Sequence, residues 1–348
     1  MFASGKGQRL NWAQPMASGK LGQALTAREI FNLVSSDLEM VEAELRLQSA
    51  GSVEAVAQIA QYLQGNGGKR LRPILLLVTC RLFQAPSADA IRLAAVVELI
   101  HTATLVHDDV IDEARTRRGK PSANVVWGNH TSVLAGDWLY MQAFQIALRQ
   151  RSFEVLDLLI TLTQMMVDGE LLQLERLGRI DISEPDSMEL IDRKTASLFS
   201  ACTRLGGVAG GATTRDVELL GEFGWNLGMA FQLVDDILDF TSRESVLGKP
   251  VGNDLREGKV TLPLIYALEQ ATADEKQAVQ KVLDDGSYDR VPLTQVLEMV
   301  ERYGGIARTR QRAHQFTSKA RELLAAFPES PAQRALQAAT GLVADRDR

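Results

Sequence analysis

Two acidic triads at helical spacing constrain this chain more than any other feature. The first lies in HDDVID (residues 107–112) and the second in VDDILD (residues 234–239), and in each the carboxylates fall at positions i, i+1 and i+4. Both interrupt long apolar helical patterns, where an ionised carboxylate is costly to bury without a partner. Because Mg²⁺ takes oxygen ligands and shares them with phosphate groups, the pattern favours a metal cluster that faces a diphosphate. The six candidate metal ligands are Asp108, Asp109, Asp112, Asp235, Asp236 and Asp239.

Helix signals dominate the rest of the chain. Strong helix formers are abundant and the alternating patterns of strands are rare. Thr26 and Glu29 form a capping-box pattern, and the KTAS stretch at Lys194 is expected to interrupt a helix that starts at Ser183. The sequence predicts an all-α, single-domain helical bundle with no strand. Its main helices are expected at about 27–48, 53–63, 71–82, 88–111, 132–150, 153–177 and 214–240, with a polar loop over about 116–129.

Composition narrows the class of protein. The chain has 348 residues, is 45% hydrophobic and carries a net charge of −6, which argues against a nucleic-acid partner. No apolar run approaches the roughly 18 residues of a membrane span, so no transmembrane segment and a cytoplasmic location are expected. Cys80 and Cys202 lie in apolar helical surroundings, which favours free thiols. Residues 1–24 are expected to form a poorly ordered extension, and residues 25–348 the folded domain.

Each triad ends a stripe along one side of its helix. At 100° per residue, small or apolar positions precede the carboxylates on the same stripe. This arrangement predicts two helices that face one central cavity, polar at its mouth and apolar below. The stripes are His101, Leu105, Asp108 and Asp112, and Gly228, Gln232, Asp235 and Asp239.

Basic residues gather around the triads in sequence. Taken singly, each is more often a solvated surface charge than a ligand. As a group beside carboxylates of the metal-binding type, they favour two diphosphate sites, since Arg binds phosphate in a bidentate manner and Lys as a point charge. They are Lys69, Arg70, Arg72, Arg115, Arg117, Arg118, Lys194, Lys249 and Lys259.

Five motifs in order resemble one family. They are GGKRLRP, HTATLVHDDVIDEARTRRGKPS, KTASLF, FQLVDDILDF and LGKPVGNDLREGKVTLPL, and together they span the chain from about Ala27 to its end. This set is similar to the trans-isoprenyl diphosphate synthases, and most like the long-chain polyprenyl diphosphate synthases. The resemblance implies an isoprenoid-synthase-type bundle, a homodimer, and a product used for quinone side chains.

The resemblance also implies roles for individual residues. About three Mg²⁺ ions would be bound by the six aspartates, with Asp109 and Asp236 ordering their neighbours more than ligating directly. The reaction would join isopentenyl diphosphate to an allylic diphosphate, farnesyl or geranylgeranyl, without a Ser or Cys nucleophile. The allylic diphosphate would be held by Arg117, Lys194, Lys259 and Lys249, and isopentenyl diphosphate by Lys69, Arg72, His101 and Arg118. Thr195 and Gln232 would line the reacting centre, where Asp108, Asp112, Asp235 and Lys194 act with them.

Small residues before the first triad favour a long product. Bulky aromatics at the fourth and fifth positions before this triad close the product pocket in the family, whereas Ala103 and Thr104 stand there in this chain. The expected product is roughly C30 to C50, with C40 as the central value. The alternative is that these small residues only allow close helix packing. Trp138, Met141 and Phe144 are candidates for the pocket floor.

Three other functions compete with this one. A terpene cyclase or squalene-type synthase on the same scaffold would carry a different second metal motif. A non-catalytic regulatory subunit would tend to lose carboxylates from the triads, and none is lost here. A shorter-chain farnesyl or geranylgeranyl diphosphate synthase differs only in its product pocket.

Overall fold

The structure is a computed structural model that describes residues 25–49, 54–65, 70–83, 85–241 and 251–344. Nearly all of this is helical, which confirms the predicted all-α class. The predicted N-terminal extension lies outside the described residues. The helices in the first half are α1 (Ala27–Leu33), α2 (Ser35–Ser49), α3 (Glu54–Gly65), α4 (Leu71–Cys80), α5 (Ala88–Ile111), α6 (Ala123–Trp127), α7 (Asn129–Leu148) and α8 (Phe153–Arg176).

The second half is helical as well. A π-helix, Asp192–Ala196, joins α9 to α10, which confirms the interruption predicted at KTAS. The α-helices are α9 (Glu184–Ile191), α10 (Ser197–Gly210), α11 (Thr214–Thr241), α12 (Asn253–Arg256), α13 (Leu262–Leu268), α14 (Ala273–Asp285), α15 (Leu293–Arg302), α16 (Gly305–Leu324) and α17 (Pro331–Ala344).

Two local predictions were wrong. The helix expected over about 27–48 is divided at Val34, whose φ of −126° and ψ of 15° leave the helical region. The loop expected over about 116–129 contains the helix α6 and, before it, two short strands that pair antiparallel, β1 (Thr116–Arg117) and β2 (Lys120–Pro121). Positive φ angles at Arg118 (52°) and Gly119 (74°) give the two-residue type I′ turn that matches the twist of a hairpin.

The core surrounds the two helices that carry the triads. α5 packs against α7 and α4, while α11 packs against α10 and α16. Among the described helices, α5 is the one long and apolar enough to cross a membrane, but 67% of its most apolar stretch is buried inside the fold. Its apolar character is therefore that of a core helix. Both triads lie at the C-terminal ends of their helices, and both helices have mostly buried lengths below them.

Candidate active site

Residues 251–259 contact both triads. The N–H of Asp254 donates to Asp239 Oδ2 at 3.3 Å. Lys259, five residues later in the same segment, places its Nζ 3.1 Å from Asp112 Oδ2 and 2.9 Å from Glu257 Oε2. Burial disfavours the Lys259 ammonium, but Asp112 and Glu257 outweigh it and raise the pKa of Lys259. This segment therefore contacts the first triad through the predicted ligand Lys259 and the second triad through the backbone N–H of Asp254.

Burial raises the pKa of carboxyl groups in both triads. It raises the pKa of Asp108 to about 6, although the nearby Lys194 ammonium works in the opposite direction. It also raises the pKa of Asp236 well above the ordinary value, despite a hydrogen bond that Gln232 Nε2 donates at 3.0 Å. Such carboxylates gain from a cation placed beside them.

The oxygen donors fit a divalent cation that a diphosphate helps to hold. Asp109 is fully buried, and its Oδ1 accepts a hydrogen bond from Arg117 Nε at 2.7 Å. Its Oδ2 is buried with no hydrogen-bond partner in the part of the chain that the structure describes. Within the described ranges, no three His, Cys, Asp or Glu side chains form a group that could hold a metal alone. Mg²⁺ characteristically uses one or two carboxylates together with phosphate oxygens, so the donor set suits it.

Lys194 is held by two residues of α8 that sequence reasoning missed. Its Nζ lies 2.5 Å from Glu170 Oε2 and 3.1 Å from Gln173 Oε1. The close approach depends on Gly169, because a Cβ there would lie 3.0 Å from Lys194 Cγ and 2.9 Å from Arg193 Cβ. An internal Gly in an otherwise strong helix was the available signal, since such a residue usually has a packing reason.

The predicted pair at the reacting centre does meet. The hydroxyl of Thr195, in the π-helix, donates to Gln232 Oε1 at 2.9 Å. The Nε2 of Gln232 in turn donates to Asp236 Oδ1. π-helical turns often mark functional sites because they displace one residue from the regular helical path. Here the displaced turn brings Lys194 and Thr195 together beside α11.

A basic cleft lies beside the first triad. It is bounded by α3, the start of α4, one side of α5 and the hairpin. The predicted His101, Arg117 and Arg118 line it. The lining residues are Tyr62, Leu63, Arg70, Glu98, His101, Thr102, Leu105, Asp109, Arg117, Arg118, Pro121, Ser122 and Ala123.

The cleft favours an anion. Arg72 is not among the described residues that line the cleft, but its charge acts on the lining residue His101. The Nε of Arg72 is buried without a hydrogen-bond partner in the described ranges, and its guanidinium lies 5.7 Å from the centroid of the Phe199 ring. Burial, followed by the charges of Arg72 and Arg118, lowers the pKa of His101 well below the usual value. The imidazole is therefore neutral at pH 7 and can donate one N–H to an anionic group.

The structure locates the predicted product-length residues on α5. Ala103 is fully buried, and Thr104 is half-buried with its hydroxyl donating to the His101 carbonyl at 2.8 Å. Met141 was expected near the pocket floor, but it is 64% exposed on the outer side of α7. That expectation is wrong within a single chain, because the outer side of α7 faces away from α5. Trp138 is partly buried against the core.

Two predicted ligands stay untested. Lys69 lies in residues 66–69 and Lys249 in residues 242–250, both outside the described residues. Residues at the cleft that the sequence did not indicate are Tyr62 and Glu98. Tyr62 donates from its hydroxyl to the Pro121 carbonyl at 2.7 Å.

The chain is similar to proteins of one family. Residues 53–300 match the family model for polyprenyl synthetase. The octaprenyl diphosphate synthase of Escherichia coli (strain K12) is 37% identical over 324 residues, which cover 93% of this chain and 100% of that protein.

Solved structures agree with this similarity. The crystal structure of a decaprenyl diphosphate synthase from Rhodobacter capsulatus matches with a TM-score of 0.87 and 36% identity, covering 93% of this chain and 100% of that one. A polyprenyl synthase from Caulobacter crescentus CB15, crystallised with calcium and isoprenyl diphosphate, matches with a TM-score of 0.88 and 34% identity, covering 94% and 99% of the two chains.

Proposed function

The chain belongs to the polyprenyl synthetase family, and we propose that it is a long-chain all-trans polyprenyl diphosphate synthase. It is a prenyltransferase that adds isopentenyl diphosphate, head to tail, to an allylic diphosphate such as farnesyl or geranylgeranyl diphosphate. The observation that carries the proposal is the contact of Lys259 with Asp112, which joins the segment after the second triad to the first triad. We propose a product of roughly C30 to C50, with octaprenyl diphosphate as the central candidate.

The leaving group is the allylic diphosphate. Lys194 and Lys259 stand beside the triads with their ammonium groups held by carboxylates, so they are in place to take a diphosphate oxygen. About three Mg²⁺ ions, held by the aspartates of both triads, would supply Lewis-acid assistance and neutralise charge on the departing diphosphate. Arg117, now paired with Asp109, adds a third cation at the same end.

Bond changes follow from this charge distribution. The allylic C1–O bond breaks and its electron pair leaves with the diphosphate. The double bond of isopentenyl diphosphate then attacks C1, and the proton lost from C2 of the added unit goes to the released diphosphate. The Thr195–Gln232 pair presents polar oxygens near the triads, which would stabilise positive charge as it develops.

The basic cleft is the proposed isopentenyl diphosphate site. Arg118, which lines the cleft, and Arg72, whose Nε has no hydrogen-bond partner among the described residues, would bind the diphosphate oxygens together with Lys69. His101 is neutral and would donate a single N–H, which favours diphosphate binding over general-base chemistry. The product would grow past Ala103 and Thr104, the small side chains that precede the first triad on α5.

Apolar side chains on the outer faces of α7 and α8 support a homodimer. They recur every seven residues on each helix, and their exposed fractions run from 44% to 84%. Continuous apolar faces of this kind mark contact surfaces in soluble proteins. The residues are Leu134, Met141 and Leu148 on α7, and Phe153, Ile160, Val167 and Leu174 on α8. The family resemblance further suggests a cytoplasmic enzyme whose product serves quinone side chains.

A single assay tests the function. Purified protein is incubated with radiolabelled isopentenyl diphosphate, each allylic primer in turn and Mg²⁺, and products are separated by chromatography. Asp108→Asn should abolish turnover, because it removes a charge at the diphosphate end of α5. Asp89→Asn, on the exposed first turn of the same helix, is the matched control and should keep full activity. Substantial turnover by Asp108→Asn, or by the wild type with excess chelator, would contradict the proposal.

The dimer has its own test. Ile160→Lys places a charge in the middle of the α8 stripe and should convert the protein to monomers in size-exclusion chromatography with light scattering. Leu342→Lys, at an exposed apolar position on α17, is the control and should leave the mass unchanged. A wild-type protein that elutes as a monomer would refute the dimer.

A further inference from the structure

Arg70 is committed to two carboxylates, although it stands between two predicted diphosphate ligands, Lys69 and Arg72. Its Nε lies 2.5 Å from Glu42 Oε1 and its Nη2 3.2 Å from Glu42 Oε2, so that pair is bidentate. Its Nη1 lies 2.5 Å from Glu98 Oε1. The side chains of Arg70 and Glu98 are only 14% and 8% exposed. A guanidinium engaged on both edges in this way has little left to offer a diphosphate.

The backbone of Arg70 is held in an uncommon conformation. Its φ of 46° and ψ of 34° lie in the left-handed region, which costs a non-glycine residue free energy. Such a conformation persists where the surroundings fix it, and it clusters at ligand-binding sites. Here the fixing contacts are those to Glu42 on α2 and Glu98 on α5. The first residue of α4 comes directly after Arg70, so this conformation sets where α4 begins.

Arg72 depends on that starting point. It lies in the first turn of α4, and its buried Nε has no hydrogen-bond partner in the described ranges. No side-chain contact of its own therefore fixes that edge of the guanidinium before an anion arrives. Besides the Phe199 ring that its guanidinium packs over, the direction of Arg72 follows from the helix that carries it, and the start of that helix follows from Arg70.

The charges around His101 agree with separate roles for Arg70 and Arg72. Arg70, Arg72, Arg117 and Arg118 all lower the pKa of His101, so the cleft concentrates positive charge before any anion binds. Two buried carboxylates at the cleft, Glu98 and Asp109, offset part of it. Because Glu98 forms its salt bridge with Arg70, the Arg72 guanidinium is left for an anion.

We propose that Arg70 is a positioning residue: anchored by Glu42 and Glu98, it fixes the start of α4 so that Arg72 is directed at the isopentenyl diphosphate site. The role rests on the function proposed above. Arg70 would thus differ in role from Lys69 and Arg72 of the GGKRLRP motif, because its guanidinium pairs with Glu42 and Glu98 and does not bind substrate. The proposed role also gives Glu42 a part in substrate binding, although Glu42 is not among the described residues that line the cleft.

Arg70→Lys is the first test, because a lysine keeps the charge but cannot bridge two carboxylates. The KM for isopentenyl diphosphate should rise about tenfold or more, as expected for misplacement of a binding group by under an ångström. The KM for the allylic primer and kcat should stay within about twofold, since Lys194, Lys259 and both triads are untouched. A role confined to folding would lower the thermal midpoint without this selective change in KM.

Arg81→Lys is the matched control. Arg81 follows the last residue of α4 and pairs with Asp37 on α2 at 2.6 Å, so it joins the same two helices at the far end. The loss of stability should be comparable with that of Arg70→Lys, and the KM for isopentenyl diphosphate should not change.

Glu42→Gln tests the anchor from outside the cleft. It removes one charge of the bidentate pair and should raise the KM for isopentenyl diphosphate in the same selective manner, if less strongly. If folded Arg70→Lys and Glu42→Gln both keep the wild-type KM for isopentenyl diphosphate, the Arg70 proposal is overturned while the enzyme assignment stands. If the wild type shows no condensation with any primer, the proposed function fails instead. Calorimetric binding of isopentenyl diphosphate to wild type and Arg70→Lys then decides the Arg70 proposal alone, with equal affinities overturning it.

Discussion

Replacing Gly228 with Ala would disturb the contact between α11 and the π-helix. A Cβ at this position would lie 2.7 Å from Ala196 Cα, 3.0 Å from Phe199 Cβ and 3.1 Å from Phe199 Cγ. These are backbone and stem atoms that cannot rotate away. To restore an ordinary contact of at least 3.4 Å, α11 and the π-helix must separate by about 0.7 Å at this point. Overpacking of this kind costs roughly 1–3 kcal/mol of stability.

The separation falls one helical turn from Gln232. The hydroxyl of Thr195 donates to Gln232 Oε1 at 2.9 Å, so a shift of about 0.7 Å along that direction would carry the pair past the limit of about 3.5 Å for a hydrogen bond. Because we propose that the pair lines the reacting centre, we expect kcat to fall by about one to two orders of magnitude. The KM for isopentenyl diphosphate should change little, since its proposed cleft lies on the other side of α5.

Gly224→Ala is the control on the same helix. Its added Cβ would lie 2.3 Å from Thr203 Oγ1 and 2.5 Å from the Phe199 carbonyl oxygen, a tighter clash one turn farther from Gln232. It should destabilise at least as much in chemical denaturation, yet lower kcat less at a temperature where both variants are folded. If Gly228→Ala keeps the wild-type kcat, or loses no more than Gly224→Ala does, the argument from helix separation is refuted.

Three further predictions concern α5. Ala103→Tyr should shorten the product toward C15–C20 by filling the space beside α5, and unchanged chromatograms would refute the pocket assignment. His101→Gln should make the free energy of unfolding less sensitive to acid. The pKa of His101 in the folded protein lies below its unfolded value of 6.5, so the folded state is favoured above pH 6.5. This stability is lost as the pH falls below 6.5, by at most about 1.4 kcal/mol per pH unit. Urea denaturation at pH 5 to 7 measures this, and identical slopes for both proteins would contradict it. Asp108→Asn should stabilise the metal-free protein at pH 8 by up to about 3 kcal/mol. Burial raises the pKa of Asp108 to about 6, so the ionised carboxylate is disfavoured in the folded protein above that pH. An unchanged thermal midpoint would count against this prediction.

Local patterns in the sequence predicted the features that depend on neighbouring residues. The capping box at Thr26 is confirmed, with the side chain of Glu29 accepting from the cap backbone. The interruption at KTAS is confirmed as a π-helix. In each case the signal and the structure lie within a few residues, so no tertiary contact was needed to anticipate it.

Contacts across the chain could not be anticipated in this way. Glu170 lies in α8, far in sequence from the Lys194 that it holds, and nothing in VDGELLQ distinguishes it from a solvated helix carboxylate. Glu98 sits in the apolar run LAAVVELI, where helical periodicity alone gives no partner for it. The hairpin was missed because its strands are two residues long, which is too short for an alternating pattern to register.

The two adjacent aspartates of the first triad have different neighbours, as helix geometry requires. Consecutive helical residues point about 100° apart, so Asp108 and Asp109 cannot face the same group. Asp109 falls on the side of α5 that lines the basic cleft and accepts from Arg117. Asp108 turns toward Lys194, whose charge is the largest influence on it after burial. We therefore propose that the doublet divides the two substrates: Asp108 would act on the leaving diphosphate, while Asp109, paired with Arg117, would hold the hairpin against the cleft where isopentenyl diphosphate would bind. A single helix end can therefore bring two diphosphate sites close together without merging them, which a head-to-tail condensation needs.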